Sequence, residues 1–302
     1  MRLGLRVPAT AFADAAVLRE VVAVADDGGL DQLSVGDHVT FHGGQGNDGM
    51  VGAAALAGLS RRCEIGVSVY QLPLRHPVPV ARQVQGIAAL ASGGFALGVG
   101  VGGEDRTEVR ACGVDPATRG RRTDESLALL RRLLTGETVT AHGEFFDLDG
   151  VSVLPPPPRP VPLVVGGRSD AALRRAGAYG DGWLGVWVSS RRYADAVTAV
   201  QQHAVAAART VDWRHGLQMW CGFGPEPARA RALLAAQMEQ LYALPFAKFE
   251  KWCPAGPPDV VAEAVAGYAG TGVRDVGLIA VAATPQDAVA GAVAVRRLLP
   301  AD

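Results

Sequence analysis

The chain has 302 residues, 49% of them apolar, and a formal net charge of −1. That length suits one large domain or two small ones with a sizeable core, and a balanced charge without a long basic run argues against a nucleic-acid partner. No apolar run is long enough to imply a membrane span, the N-terminus lacks the apolar core of a signal peptide, and Cys63, Cys112, Cys221 and Cys253 lie too far apart for metal spacing, so they read as free thiols of a cytoplasmic protein.

Short apolar segments recur along the chain, and most are followed by a helical pattern. Strands are expected at residues 2–7, 30–36, 63–70, 95–102, 161–167, 182–188, 216–223 and 273–281. Helical segments separate them, such as "AVLREVVAVADDGG", "TDESLALLRRLLTG" and "RRYADAVTAVQQHAVAAA". Strand–helix alternation implies parallel pairing, because each crossover carries a helix. Eight such repeats imply a closed (β/α)8 TIM barrel. The alternative is an open doubly wound sheet, but its G-x-G-x-x-G mark is absent from the first strand–helix turn. The spacings after the fourth and seventh expected strands are long and predict inserted loops on the barrel rim. "PPPPRPVP" at 155–162 lacks most of its amide donors and reads as a stiff lead-in to the fifth strand. No domain boundary is visible, so residues 1–302 are expected to form one domain.

In such a barrel, groups that do chemistry sit at the C-terminal ends of strands. Asp37 and His38 end the second expected strand, with His42 following. Their bland reading is a structural ion pair. Tyr70, Gln71 and His76 lie beyond the third. The fourth ends in "GVGVGGED", where Gly98, Gly100, Gly102 and Gly103 leave bare backbone and Glu104 follows. These glycines either permit tight helix–sheet packing or let a flat ligand lie against the wall. The fifth ends in Gly166 and Gly167, after which Arg168 and Ser169 open a helix. Amides, a positive helix end, a guanidinium and a hydroxyl together make an anion site, although Ser169 alone could be an ordinary N-cap. Arg119, Arg121 and Arg122 in the inserted loop could reach the same anion, or could form a solvated face before a helix that Thr123, Asp124 and Glu125 start. No nucleophile elbow occurs, and Asp37, His38 and His42 lack the spacing of a metal set. Trp183 and Trp187 alternate onto one face, and they and Trp220 read as core.

The segments "GDHV", "GVSVYQLPLRHPVPVARQ", "LGVGVGGEDRTEVRACGVDPATRGRRTDESL", "LPPPPRPVPLVVGGRSDAALRRAGAYGDGW" and "LPFAKFEKWCPAGPPDVVAE" occur in an order and spacing that resemble the bacterial-luciferase-like flavin and deazaflavin oxidoreductases. The resemblance covers nearly the whole chain. It implies a barrel that holds coenzyme F420, a deazaflavin, or alternatively FMN, with the ring across the barrel mouth. It further implies a cis peptide at Ser68–Val69 behind the ring, Gly100, Gly102 and Gly103 close to it, and Gly166, Gly167, Arg168 and Ser169 at the ribityl phosphate. Arg121 matches a phosphate-binding arginine of the luciferases. His38 matches the active-site histidine of the F420-dependent sugar-phosphate dehydrogenases, Glu104 their catalytic acid, and Asp37 the acid near the ring. The activity implied is hydride transfer to or from a small organic substrate. The alternative is FMN-dependent monooxygenation fed by a separate reductase. A homodimer is the family's common state. Two departures stand out: His42 replaces a tryptophan of the sugar-phosphate enzymes, and Trp252 and Cys253 occupy an insert expected to line the substrate pocket.

Overall fold

The computed structural model describes residues 1–102 and 105–300. In chain order its elements begin β1 (Arg2–Arg6), α1 (Ala15–Asp27), β2 (Gln32–Val35), α2 (Gly49–Leu59), β3 (Glu64–Gln71), α3 (Pro77–Leu90) and β4 (Phe95–Gly100). Then come α4 (Arg106–Ala111), α5 (Arg119–Leu133), β5 (Val139–His142), β6 (Asp147–Val151), β7 (Leu163–Gly166), α6 (Asp170–Tyr179), β8 (Gly182–Val186) and α7 (Ser190–Ala206). The last are β9 (Gly216–Phe223), α8 (Pro227–Tyr242), β10 (Ala255–Gly256), α9 (Pro258–Ala266), β11 (Asp275–Val281) and α10 (Pro285–Leu298).

Eight parallel strands close a barrel in the order β1-β2-β3-β4-β7-β8-β9-β11, with β11 pairing back to β1 and β8 to β9. Each expected strand is present within a few residues of its expected bounds. Period-two alternation explains why. Leu33, Val35, Ile65, Val67, Leu97, Val99, Leu163 and Val165 are buried and face the surrounding helices. The residues between them face the barrel axis and are small: Ser34, Gly66, Ser68, Gly98 and Gly277, with Gln218, line a cavity of about 70 Å³ in the lower half of the barrel. Its floor is ionic. Arg214 holds Glu64 with two contacts of 2.7 and 2.8 Å and Asp275 at 2.9 Å, while Arg2 reaches Glu64 at 2.5 Å.

The first insert differs from a simple rim loop. After α5 the chain forms an antiparallel hairpin, β5–β6, that lies along that helix. Glu125 of α5 accepts the amides of Phe145 and Phe146 at the hairpin tip. The proline run then leads into β7, as expected from its missing donors. The start of α5 also differs. Thr123 does not cap it; its hydroxyl donates back to the Arg119 carbonyl four residues earlier, at 2.7 Å. The helix begins at Arg119, after a turn in which Asp115 accepts the Ala117 amide. Arg119, Arg121 and Arg122 are therefore helical rather than loop residues. Trp183 and Trp187 do not share a face either. Trp187 has φ +50° and leaves the strand alternation. Its ring packs on Phe249, with centroids 4.5 Å apart, whereas Trp183 packs outward on Tyr193.

Candidate active site at the barrel mouth

Asp37 is buried just past β2. One oxygen accepts the Gly49 amide at 2.9 Å and Nη2 of Arg75 at 2.9 Å; the other accepts the Gln71 amide at 2.9 Å and Nη1 of Arg75 at 2.6 Å. Four donors fill its four lone-pair positions. The carboxylate thus ties β2, α2 and the end of β3 together, and it has no free acceptor for a ligand.

His38 is the next residue and is 31% exposed at its side chain. Its Nδ1 lies 3.2 Å from Oε2 of Glu108 and 3.1 Å from Nε2 of Gln71, and its ring stacks on Phe41 at 4.1 Å. Glu108, on α4, is buried and also accepts the amides of Val39 (2.6 Å) and Thr40 (3.2 Å). Burial alone would raise its pKa; the Val39 amide and the His38 ring reverse that and hold it below the usual carboxylate range. With Nδ1–H donating to the Glu108 carboxylate, Nε2 is left as the basic nitrogen, and the Gln71 amide, itself a donor, bonds the Asp37 carbonyl at 3.2 Å instead of the ring. Sequence reading did not find Glu108. Asp105-x-x-Glu108 looks like an ordinary capping box, and Asp105 does cap α4 through the Thr107 amide, so nothing local shows that Glu108 reaches across to His38. Asp105 also accepts the His42 amide at 3.0 Å, which joins the β2 loop to α4 a second time.

The Ser68–Val69 peptide is cis, as the resemblance implies. Gln218 on β9 supports it from inside the barrel, donating from Nε2 to the Ser68 carbonyl at 3.1 Å and hydroxyl at 2.8 Å. The Ser68 hydroxyl donates to Ser34 at 3.0 Å. The glycines of the adjacent wall have a concrete reason. A Cβ on Gly100, Gly166 or Gly98 would meet the Val69 methyls at 2.6, 3.0 and 3.3 Å. The Val69 side chain therefore occupies much of the space these glycines vacate. Gly102 has φ +62°, and a Cβ there would collide with Oε1 of Gln71. Gly103 and Glu104 lie outside the described residues.

Beyond β7, Gly167 adopts φ +125°, and Arg168 and Ser169 are exposed at the start of α6. Ser169 caps that helix through the Ala172 amide. The Arg168 guanidinium lies 5.3 Å from the Trp187 ring centroid. Arg121 is not brought to this turn with a free guanidinium; it pairs with Glu144 of the hairpin at 2.8 Å, both exposed. His76 is likewise engaged, as N-cap of α3. Trp252 and Cys253 border a groove of about 550 Å³ with Ser189, Arg192, Met219 and Tyr268. Met219 faces outward on β9, so that groove lies outside the wall and not over the mouth.

Several polar atoms at the mouth are buried without a hydrogen-bond partner among the described residues: Oε1 of Gln71 and Nε1 of Trp187 and Trp220. Such groups are costly unless something satisfies them. With the exposed α6 terminus, they fit a planar ring with polar edges and an anionic tail. Among the described residues no group of three metal-binding side chains occurs, and no helix is long and apolar enough to cross a membrane.

Residues 2–275 match the family model described as luciferase-like monooxygenase. The chain belongs to that family. Its fold resembles those of both F420- and FMN-using enzymes. Family members of similar sequence include the F420-dependent glucose-6-phosphate dehydrogenase of Beutenbergia cavernae, 32% identical over 240 residues, which are 76% of this chain and 70% of that one. An uncharacterised protein of Mycobacterium tuberculosis is 41% identical over 131 residues, 43% of this chain; the match spans about half of that relative, 45% of its length. Two solved structures share the fold. An F420-dependent secondary alcohol dehydrogenase in complex with an F420-acetone adduct superposes with TM-score 0.84 at 18% identity, covering 99% of this chain and 98% of the other. The oxygenating constituent of 3,6-diketocamphane monooxygenase of Pseudomonas putida, in complex with FMN, superposes with TM-score 0.73 at 18% identity over 98% and 96%.

Proposed function

We propose that the protein is an F420-dependent oxidoreductase that moves a hydride between the deazaflavin and a small organic substrate. The observation that carries this reading is the half-exposed His38, oriented through Nδ1 by the buried Glu108 at 3.2 Å. That pair leaves Nε2 to take or deliver the substrate proton, and Glu108 balances the charge when the ring is protonated. Bound F420 supplies a ring carbon that accepts or donates hydride. Val69 and the glycine wall back the ring, with Gly100 and Gly102 beside it. Gly166, Gly167, Arg168 and Ser169 take the phosphate at the α6 terminus. Gly103 and Glu104 remain assigned near the ring by resemblance alone. Asp37, with four donors already on it, shapes the turn that carries His38 instead of touching the reacting atoms. Arg121 contributes to phosphate binding only if it leaves Glu144.

FMN is the second reading, favoured by the fold shared with the FMN-bound oxygenating constituent. In that case a separate reductase supplies reduced flavin, and oxygen is a co-substrate. Under either reading the protein forms a homodimer through barrel-side helices.

Fluorescence titration of the purified protein with F420 and with FMN separates the two. Saturable F420 binding supports the first reading; tight FMN binding without F420 affinity overturns it. His38→Ala should lower turnover about 100-fold or more while cofactor affinity stays within about tenfold, because its contribution is made in the transition state.

A further inference from the structure

One inward-facing cation at the mouth has no role in the reading above. Arg6 ends β1 on the axis side of the barrel. Its neighbour Leu5 is in register with Leu278, and Ile279 is in register with Trp220, so Arg6, Ile279 and Trp220 share one inward layer across three adjacent strands. The guanidinium lies across Gly36, where any Cβ would collide with it. The glycine is therefore what lets the side chain extend across the end of β2.

Among the described residues no carboxylate pairs with Arg6. The ionisable neighbour that acts on it is Tyr242. Burial lowers its pKa, which reflects the cost of holding a guanidinium out of water. The groups around it are also donors. Among the described residues Nε1 of Trp220 and Nε1 of Trp187 are buried without acceptors, and both indoles pack against Tyr242, at 5.8 and 5.0 Å between centroids. A guanidinium and two indole N–H groups in an aromatic setting offer no acceptor to one another. The ligand that completes such a layer carries paired anionic oxygens on an apolar body.

Resting on the oxidoreductase reading, we propose that Arg6, with Trp220 and Trp187, forms a carboxylate-binding subsite at the barrel mouth, and that the substrate is a small organic carboxylate with an apolar or aromatic body. The planar fork of Arg6 grips the two oxygens, and the indole N–H groups contribute further donors. The apolar body lies against the Trp187, Tyr242 and Phe249 rings. The same donors could instead receive the polar edge of the reduced cofactor ring, which is the competing source of anionic oxygen or nitrogen.

The test is calorimetric titration of the full-length protein with benzoate, and with benzyl alcohol as its neutral counterpart, at constant ionic strength. Wild type should bind benzoate at least about tenfold more tightly than benzyl alcohol, and Arg6→Met should remove that preference, since the charge-assisted contact is lost. Arg6→Lys should restore only part of it, because the fork is gone. Cofactor affinity, measured by fluorescence with F420 and FMN on the same variants, should change less than about threefold. Equal benzoate affinity in wild type and Arg6→Met overturns the subsite. So does a loss of cofactor affinity in Arg6→Met with no effect on benzoate, which would give the guanidinium to the ring. Failure of wild type to bind either cofactor, with benzoate selectivity intact, would sink the oxidoreductase reading and leave the subsite standing. Melting curves of each variant show whether it is folded, and Gly36→Ala, which displaces the guanidinium without removing it, gives an independent route to the same loss.

Discussion

At the N-terminal end of the barrel Glu64 is gripped by Arg214 and Arg2, and Asp275 closes the cluster. At the C-terminal end of the same strands, among the described residues, Arg6 has no carboxylate, His38 is part-exposed, and two indole N–H groups have no acceptor. The two ends are built from the same strands and differ in whether the described residues balance the charge. A buried cluster whose charges balance one another serves folding, even though Nε of Arg214 and Oδ1 of Asp275 have no hydrogen-bond partner among the described residues. One that is left donor-rich costs stability until a ligand fills it. The contrast supports the proposed placement of the site at the upper end without reference to any motif.

The sharpest way to break this comparison is Arg214→Met. It strands two carboxylates in the floor and should cost about 3–5 kcal/mol in urea or thermal unfolding. Arg6→Met, which removes a cation with no carboxylate partner among the described residues, should be neutral or stabilising in the same measurement. Equal losses from both would dissolve the distinction. Next in size is the acid response of the floor. Burial would raise the Glu64 pKa, but Arg214 and Arg2 overcome it and push it down to about 2 from 4.5. A carboxylate with a depressed folded pKa stabilises above its unfolded value and loses that contribution as pH falls through the folded one. About 3 kcal/mol should therefore disappear between roughly pH 4.5 and 2, and Glu64→Gln should flatten that part of the profile. An earlier step, from 6.5 towards 4, belongs to His215, whose pKa burial pushes down to about 4 and whose Nδ1 accepts the Trp183 amide. Here too the folded pKa is depressed, so stability is lost as pH falls.

At the upper end, Arg168→Ala should weaken cofactor binding by about 1.5–3 kcal/mol through loss of a charge-assisted contact, with little change in melting temperature of the ligand-free protein. Titration with F420 checks the first part and calorimetry the second. The smallest effect sharpens the picture of the interior. Gly277 faces the axial cavity, and a Cβ there meets nothing within 4 Å. Gly277→Ala should stabilise by about 0.4–1 kcal/mol by restricting the unfolded chain. A destabilised variant would mean that the cavity is not the open space described.

The barrel was legible because its signal is periodic. Buried apolar residues alternate with smaller or polar ones on β1, β2, β3 and β4, and proline at 155–158 marks the entry to β7. The hairpin of residues 139–151 was not legible, because its short strands carry exposed polar residues such as Thr140, Asp147 and Asp149 that give no buried alternation. The candidate site was legible as positions at strand ends: His38, the Ser68–Val69 turn and the Gly167–Ser169 segment all lie at the mouth. Glu108 and Arg6 were not. Their meaning depends on a partner 70 residues away or on the lack of a carboxylate partner among the described residues, and neither leaves a trace in local spacing. Asp37 and Arg121 show the reverse. Their residue types suit ligand binding, yet Arg75 and Glu144 already occupy them.

Hydrogen exchange of the backbone, with and without saturating F420, tests most directly which end of the barrel is built to be completed from outside. The account predicts new protection at residues 36–42, 68–71, 98–102 and 166–170, with exchange around 64 and 214–216 unchanged. Protection concentrated at the ionic floor, or none at the mouth, would contradict it.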